Sequence, residues 1–272
     1  MVKIHNILEE HIKNLSGNGQ HFQVSYLAPE DETLTSPLPD HVILNKVVAP
    51  DQIGHSTFLK WKLDDNDVRT LYKDIPNFRA TIVKDRESNN SFILLPVYPH
   101  EGNVIDDKIN MLKCIIKFVN LLGIDRKLKV CVLSSTKNAW AKHDNTAYKL
   151  FREAQIFEHN IYKNKDILPF IVDYANGEHS HPSNHQDCSF EIEEAVKHYD
   201  IIIPSNGPTG HSLIRSLRFL SKDRFEILSI PWFINYEQIP TGEGSFKKET
   251  NSDNHIKSAA VWQYLKMKHK QL

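Results

Sequence analysis

The sequence predicts an α/β fold in which a mostly parallel sheet is flanked by helices. Two observations carry this expectation. From Lys129 onward, short β-branched runs alternate with stretches of helical spacing, and that alternation requires crossover connections between parallel strands. The composition, 40% hydrophobic and 25% charged over 272 residues, is that of a globular chain able to bury a substantial core, as one large domain or two lobes.

Taken in order, Ile4, Ile7, Leu8, Ile12 and Leu15 recur at helical steps, so residues 1–16 read as an amphipathic helix. Residues 28–40 carry Pro29, Pro37 and Pro39 and read as a loop. The β-branched run from His41 to Ala49 reads as a strand, and Leu59 to Tyr72 as a helix with sparse apolar positions. Phe78 to Lys84 and Ser91 to Val97 read as paired strands of a hairpin around the polar segment Asp85 to Asn90. Ile105, Ile109, Leu112, Ile116, Val119 and Leu122 then define a long helix, with Gly123 as its C-terminal cap. Lys129 to Leu133 is a short buried strand, Thr146 to His159 a helix, and Ile167 to Val172 a further strand interrupted by Pro169. After a polar loop over 173–188, Phe190 to His198 reads as a helix, Ile201 to Ile203 as a strand and Thr209 to Leu220 as a helix. Ile227 to Ile234 is the last expected strand, Ile239 to Thr250 a loop, and His255 to Lys268 a closing helix.

Several classes are disfavoured. A formal net charge of −1 supplies no global field toward nucleic acid or an anionic membrane, and no basic–aromatic interleaving supports RNA binding. The four tryptophans, Trp61, Trp140, Trp232 and Trp262, read as packing residues. Cys114, Cys131 and Cys188 are far apart and form no CxxC pair, so neither a zinc ribbon nor a disulfide framework is indicated. No apolar run of about 18 residues is present, and the N-terminal stretch lacks the apolar core of a signal peptide. The expected location is cytoplasmic. His179, His181, His185, Asp187 and Cys188 are residue types that ligate zinc. Their spacing is not that of a helical metal motif, so no metal is expected.

Ligands of parallel sheets sit where the loops converge at the strands' carboxyl ends, which singles out the loops after Leu133 and Ile203. The first carries Ser134, Ser135, Thr136, Lys137, Lys142 and His143, hydroxyls and cations suited to a phosphoryl or carboxylate group. In the second, Pro204, Ser205, Asn206, Gly207, Pro208, Thr209, Gly210 and His211 lead into a helix that Thr209 could cap. A helix start of this kind either receives an anion or is simply a tight strand-to-helix turn, and spacing alone leaves both open. It is neither GxGxxG nor GxxxxGK[ST].

Three ordered segments resemble the phosphotransacetylase (phosphate acetyl/butyryltransferase) family. They are Pro96 to Gly102 with the long helix and Leu121 to Ile124; Leu128 to Lys137 with Ala141, Lys142 and His143; and Ala195 to Leu217. The Pro-Val-x-x-x-Glu-Gly form of the first is similar to the methanogenesis-marker, methyltransferase-related MtxX branch. The resemblance covers about residues 92–220. It implies a two-lobed αβα sandwich of the isocitrate/isopropylmalate-dehydrogenase-like kind. The implied lobes are 1–125, with the closing helix 255–268 packed there, and 126–254, which carries the Ser-Thr-Lys and Pro-Ser-Asn-Gly loops.

The same resemblance implies an acyl or phosphoacyl transferase that takes coenzyme A or acyl phosphate as substrate and requires no cofactor. Ser134, Ser135, Thr136 and Lys137 would then bind phosphate or the acyl carbonyl, and Asn206, Gly207, Thr209, Gly210 and His211 would form the facing anion turn. Asp253 or His143 would serve as the base. Expected partners are a small phosphorylated or acyl ligand, with no nucleic acid and no membrane; a homodimer fits the family, although the sequence shows no interface signature. The chain departs from the family pattern at Asn138 (glycine in the family), Ser205 (aspartate) and His211 (asparagine), and 235–254 contains no arginine. These departures leave open a binding protein on the same fold, or a methyltransferase-associated role.

Overall fold

In a computed structural model, the residues described are 6, 7, 10, 13, 14, 22–28, 42–48, 78–97, 101–134, 136, 138–173, 185–187, 192–221 and 223–233. The chain packs as two compact units, Met1–His5 with Phe78–Ile227, and Asn6–Asn77 with Leu228–Leu272. The 125/126 division expected from the sequence falls inside the first of these units.

In the second unit, β1 (Phe22–Ala28) and β2 (Val42–Val48) form a parallel pair in which Phe22 faces Val42 and Ala28 faces Val48. The strand at Val42 was expected; the one at Phe22 was not. Asn6, Ile7, Glu10, Lys13 and Asn14 are helical, as the spacing predicts.

A six-stranded sheet has the order β6-β5-β7-β4-β3-β8. Its strands β3 (Phe78–Asp85), β4 (Asn90–Leu94), β5 (Val130–Ser134), β6 (His185–Asp187) and β7 (Ile201–Ile203) lie in the first unit, and β8 (Phe225–Phe233) belongs to that unit as far as Ile227. The sheet is mixed: β4, β7, β5 and β6 pair in parallel, whereas β3 and β4 pair antiparallel. The physical reason is the four-residue Arg86–Asn89 turn, which is too short for a crossover. The helices are α1 (Ile105–Leu121), the single-turn α2 (Asn138–Ala141), α3 (Asn145–Lys163), α4 (Ile192–His198) and α5 (Gly207–Leu220).

The strands β5 and β7 are apolar except at Ser134, and they and β4 beyond Asn90 are buried on both faces, as expected of a sheet covered by helices on each side. Phe92, Leu94, Cys131, Leu133 and Ile202 form one core with Ala195, Val196 and Tyr199. On α1, the predicted stripe of Ile109, Leu112, Ile116 and Val119 is buried. Gly123, at φ +78°, ends that helix while its amide donates to the Asn120 carbonyl, confirming the expected cap.

Two expectations between α3 and α4 are corrected. Ile167 to Val172 is not a strand: Leu168–Phe170 forms a 3₁₀ turn, because Pro169 fixes φ and lacks an amide donor. Only Ile171 makes a bridge, to Leu128. Conversely, His185–Asp187 inside the expected loop is a short edge strand pairing with β5. The expected helix at Leu59–Tyr72 and everything beyond Phe233 lie outside the described residues.

Candidate functional site

The carboxyl ends of β4, β7 and β5 lie side by side, since Leu94 faces Ile202 and Val132 faces Ile203 in the parallel ladders. The described residues that follow these strands, 95–97 after β4, 136 after β5 and 204–206 after β7, therefore leave the sheet at the same end. The two loops singled out by the sequence are thus neighbours.

After β5, Ser134 and Thr136 are buried, and they bond to each other. The Ser134 hydroxyl donates to the Thr136 carbonyl at 2.7 Å and accepts from the Thr136 amide at 3.2 Å. This local loop competes with continuation of the strand and turns the chain toward α2. Ser134 and Thr136 thereby shape the turn. Ser135 and Lys137 lie outside the described residues. His143 is exposed in the turn between α2 and α3, where its amide donates to the Trp140 carbonyl at 2.9 Å. Trp140 keeps half of its surface exposed.

After β7, the N-cap of α5 is Asn206 rather than Thr209. Its Oδ1 accepts from both the amide and the hydroxyl of Thr209, each at 2.9 Å. The Gly207 amide donates to the Glu101 carbonyl at 3.1 Å, and Pro208 has no amide hydrogen. The first-turn amides that would otherwise face an anion are thus engaged within the chain. A ligand at this turn would meet hydroxyls, such as the Ser205–Thr209 pair at 3.1 Å, and the positive end of the helix dipole. Gly210 packs so closely on the β4 exit that a Cβ there would lie 1.9 Å from the Pro96 carbonyl oxygen. His211 Nδ1 lies 3.2 Å from the Val97 carbonyl. Arg215 and Arg218 flank Phe219 near the far end of α5, at 6.0 and 5.6 Å from its ring, so neither is folded back over the junction.

Because Asn206 holds two hydrogens, Asn206→Ala is expected to lower stability by about 1 kcal/mol, whereas Asn206→Asp should retain most of it. Urea unfolding of the two variants beside the native chain measures this.

Lys108, in the first turn of α1, was not singled out by the sequence reading. It is buried, and its ammonium donates to the Ser205 carbonyl at 2.8 Å. Its signal was a lysine set within the apolar stripe, three residues after Ile105 and four before Leu112. Asp253 lies outside the described residues, as does the histidine-rich segment apart from β6.

No family model matches the chain, and no curated protein matches it. Among solved structures, the chain is similar to a branched-chain phosphotransacylase from Enterococcus faecalis V583, at 11% identity and a TM-score of 0.52, over 97% of this chain and 96% of that one. It also aligns with the EutD phosphotransacetylase from Staphylococcus aureus at 9% identity and a TM-score of 0.48, over 94% and 99% of the two chains. The chain therefore has the α/β fold of a phosphotransacylase.

Proposed function

We propose that the protein is a phosphotransacetylase-like acyl or phosphoacyl transferase that receives a phosphorylated or coenzyme A-type ligand at the carboxyl ends of β5 and β7. The observation that carries this reading is the adjacency of two hydroxyl-bearing turns on neighbouring parallel strands, in a fold shared with a phosphotransacylase across nearly the whole chain. Ser135 and Lys137 would bind the phosphoryl or carbonyl oxygens, on a turn whose course Ser134 and Thr136 set. Ser205 and Thr209 would line the facing turn, their hydroxyl hydrogens directed to Thr209 and Asn206 in turn. Attack by a thiol requires a base to take its proton, and fixed donors must meet the oxyanion that develops. Asp253 or His143 would be that base. The isocitrate-dehydrogenase-like two-lobed arrangement and the MtxX branch belong to the same proposal.

A second reading is supported by the α5 start, where the chain's own Glu101 and Asn206 occupy the amides of Gly207 and Thr209. That turn suits a protein that binds a metabolite without transferring an acyl group.

A thermal-shift titration with coenzyme A, acetyl-CoA, acetyl phosphate and phosphate, beside NAD and S-adenosylmethionine, separates the readings. A saturable rise with acetyl-CoA or acetyl phosphate is expected, equivalent to about 2.7 kcal/mol at a hundredfold excess over Kd. Binding without turnover would favour the binding protein, and no shift with any acyl or phosphoryl ligand would sink the transferase.

A further inference from the structure

Lys108 is 2% exposed, on a helix whose inward positions are otherwise apolar. An ammonium costs free energy to bury, and a residue needed only for packing would be apolar here. Burial pushes its pKa down and Glu153 pushes back. Its contacts reach far along the chain. The amine donates to the Ser205 carbonyl at 2.8 Å, lies 3.4 Å from Glu153 Oε1 on α3, and sits 5.0 Å from the centre of the Phe157 ring.

Ser205 lies between β7 and α5, and Lys108 donates to its carbonyl. The same turn is held at three other points, by the Glu101 carbonyl on the Gly207 amide, by the Pro96 carbonyl packed on Gly210 and by the Val97 carbonyl at His211 Nδ1. All four supports come from residues 96–108, the segment joining β4 to α1. Lys108 also reaches a half-exposed acid on a third element.

We propose that Lys108 is the positioning residue of the turn from Ser205 to His211, its ammonium setting the Ser205 carbonyl and so the course of the turn that a ligand would meet. This rests on the function proposed above for its catalytic meaning, but the positioning itself is measurable without a ligand.

Hydrogen-exchange mass spectrometry on the full chain is the test, comparing native protein with K108M and K108R. K108M removes the donors at similar length and is expected to exchange at least tenfold faster over 205–211, with 130–134 still protected. K108R keeps the charge and donors and should recover most of that protection, a rescue that simple loss of packing would not give. Unchanged exchange over 205–211 in K108M, or equal acceleration in both segments, would overturn the assignment. If K108M does not fold, K108Q, which also removes the charge, takes its place with the same two outcomes. A phosphate and acetyl phosphate titration of the native chain runs alongside. Failure to bind either, together with no shift for coenzyme A or acetyl-CoA, would remove the proposed function and leave the exchange result to judge Lys108 independently.

Discussion

Gly210→Val will destabilise the first unit by about 3 kcal/mol or more, at the upper end of what overpacking costs. Gly210→Ala will follow in the same direction. Alanine is worth about 1 kcal/mol more than glycine within a helix, so propensity alone predicts stabilisation. The contact reverses the sign: the added carbon would stand 1.9 Å from the Pro96 carbonyl oxygen and 3.0 Å from Pro204 Cγ. These are the exit of β4 and the exit of β7, both tied into the sheet, so neither can withdraw without moving a strand end. Urea unfolding of both variants checks the result, and a stable Gly210→Ala would show that α5 can lift away from β4. A loss of ligand binding in Gly210→Val would therefore report packing before it reported a binding residue.

The second large effect is at Asp85, a fully buried carboxylate at the end of β3. Arg224 reaches it with Nε at 2.8 Å and a second nitrogen at 3.1 Å, while the Ser88 hydroxyl and Glu87 amide donate at 2.7 and 3.2 Å. Burial pushes this carboxyl's pKa up, but the hydrogen bonds from Arg224, Ser88 and Glu87 outweigh it and hold the pKa below the ordinary 3.8. Between the lowered folded value and the ordinary one, the unfolded chain binds more protons, so stability rises with pH there. The contribution is complete above the ordinary carboxylate range and is lost as pH falls through the folded value. Asp85→Asn should cost about 3 kcal/mol, because Arg224 loses its main partner. It should also flatten the acid limb of a stability-versus-pH curve. An unchanged acid limb in Asp85→Asn would mean that other carboxylates govern acid unfolding.

Much of the framework was legible in the sequence because its cause is local. The stripe on α1, the hairpin of β3 and β4, the apolar Ile201–Ile203 run and the Gly123 cap each depend on residues within a few positions of one another. The alternation of strands and helices located the loops after Leu133 and Ile203, and the sheet makes those loops neighbours. Ile167 to Val172 was misread because a short apolar run does not distinguish strand from 3₁₀ turn, and the proline decided it. A mostly parallel sheet was expected, and the sheet is mixed, since one tight turn makes β3 antiparallel to β4.

What the sequence determined by itself was the α/β class and the two loops where chemistry is expected, because periodicity and turn residues act over short distances. Only the tertiary structure decided what those loops can offer. Glu101 and Asn206 occupy the amides of the α5 start, Ser134 closes on Thr136, and Lys108 crosses from α1 to the Ser205 carbonyl. The supports from Glu101 and Lys108 join residues about a hundred positions apart, which no local pattern encodes. The sheet brings them together by placing the ends of β4, β7 and β5 in one row.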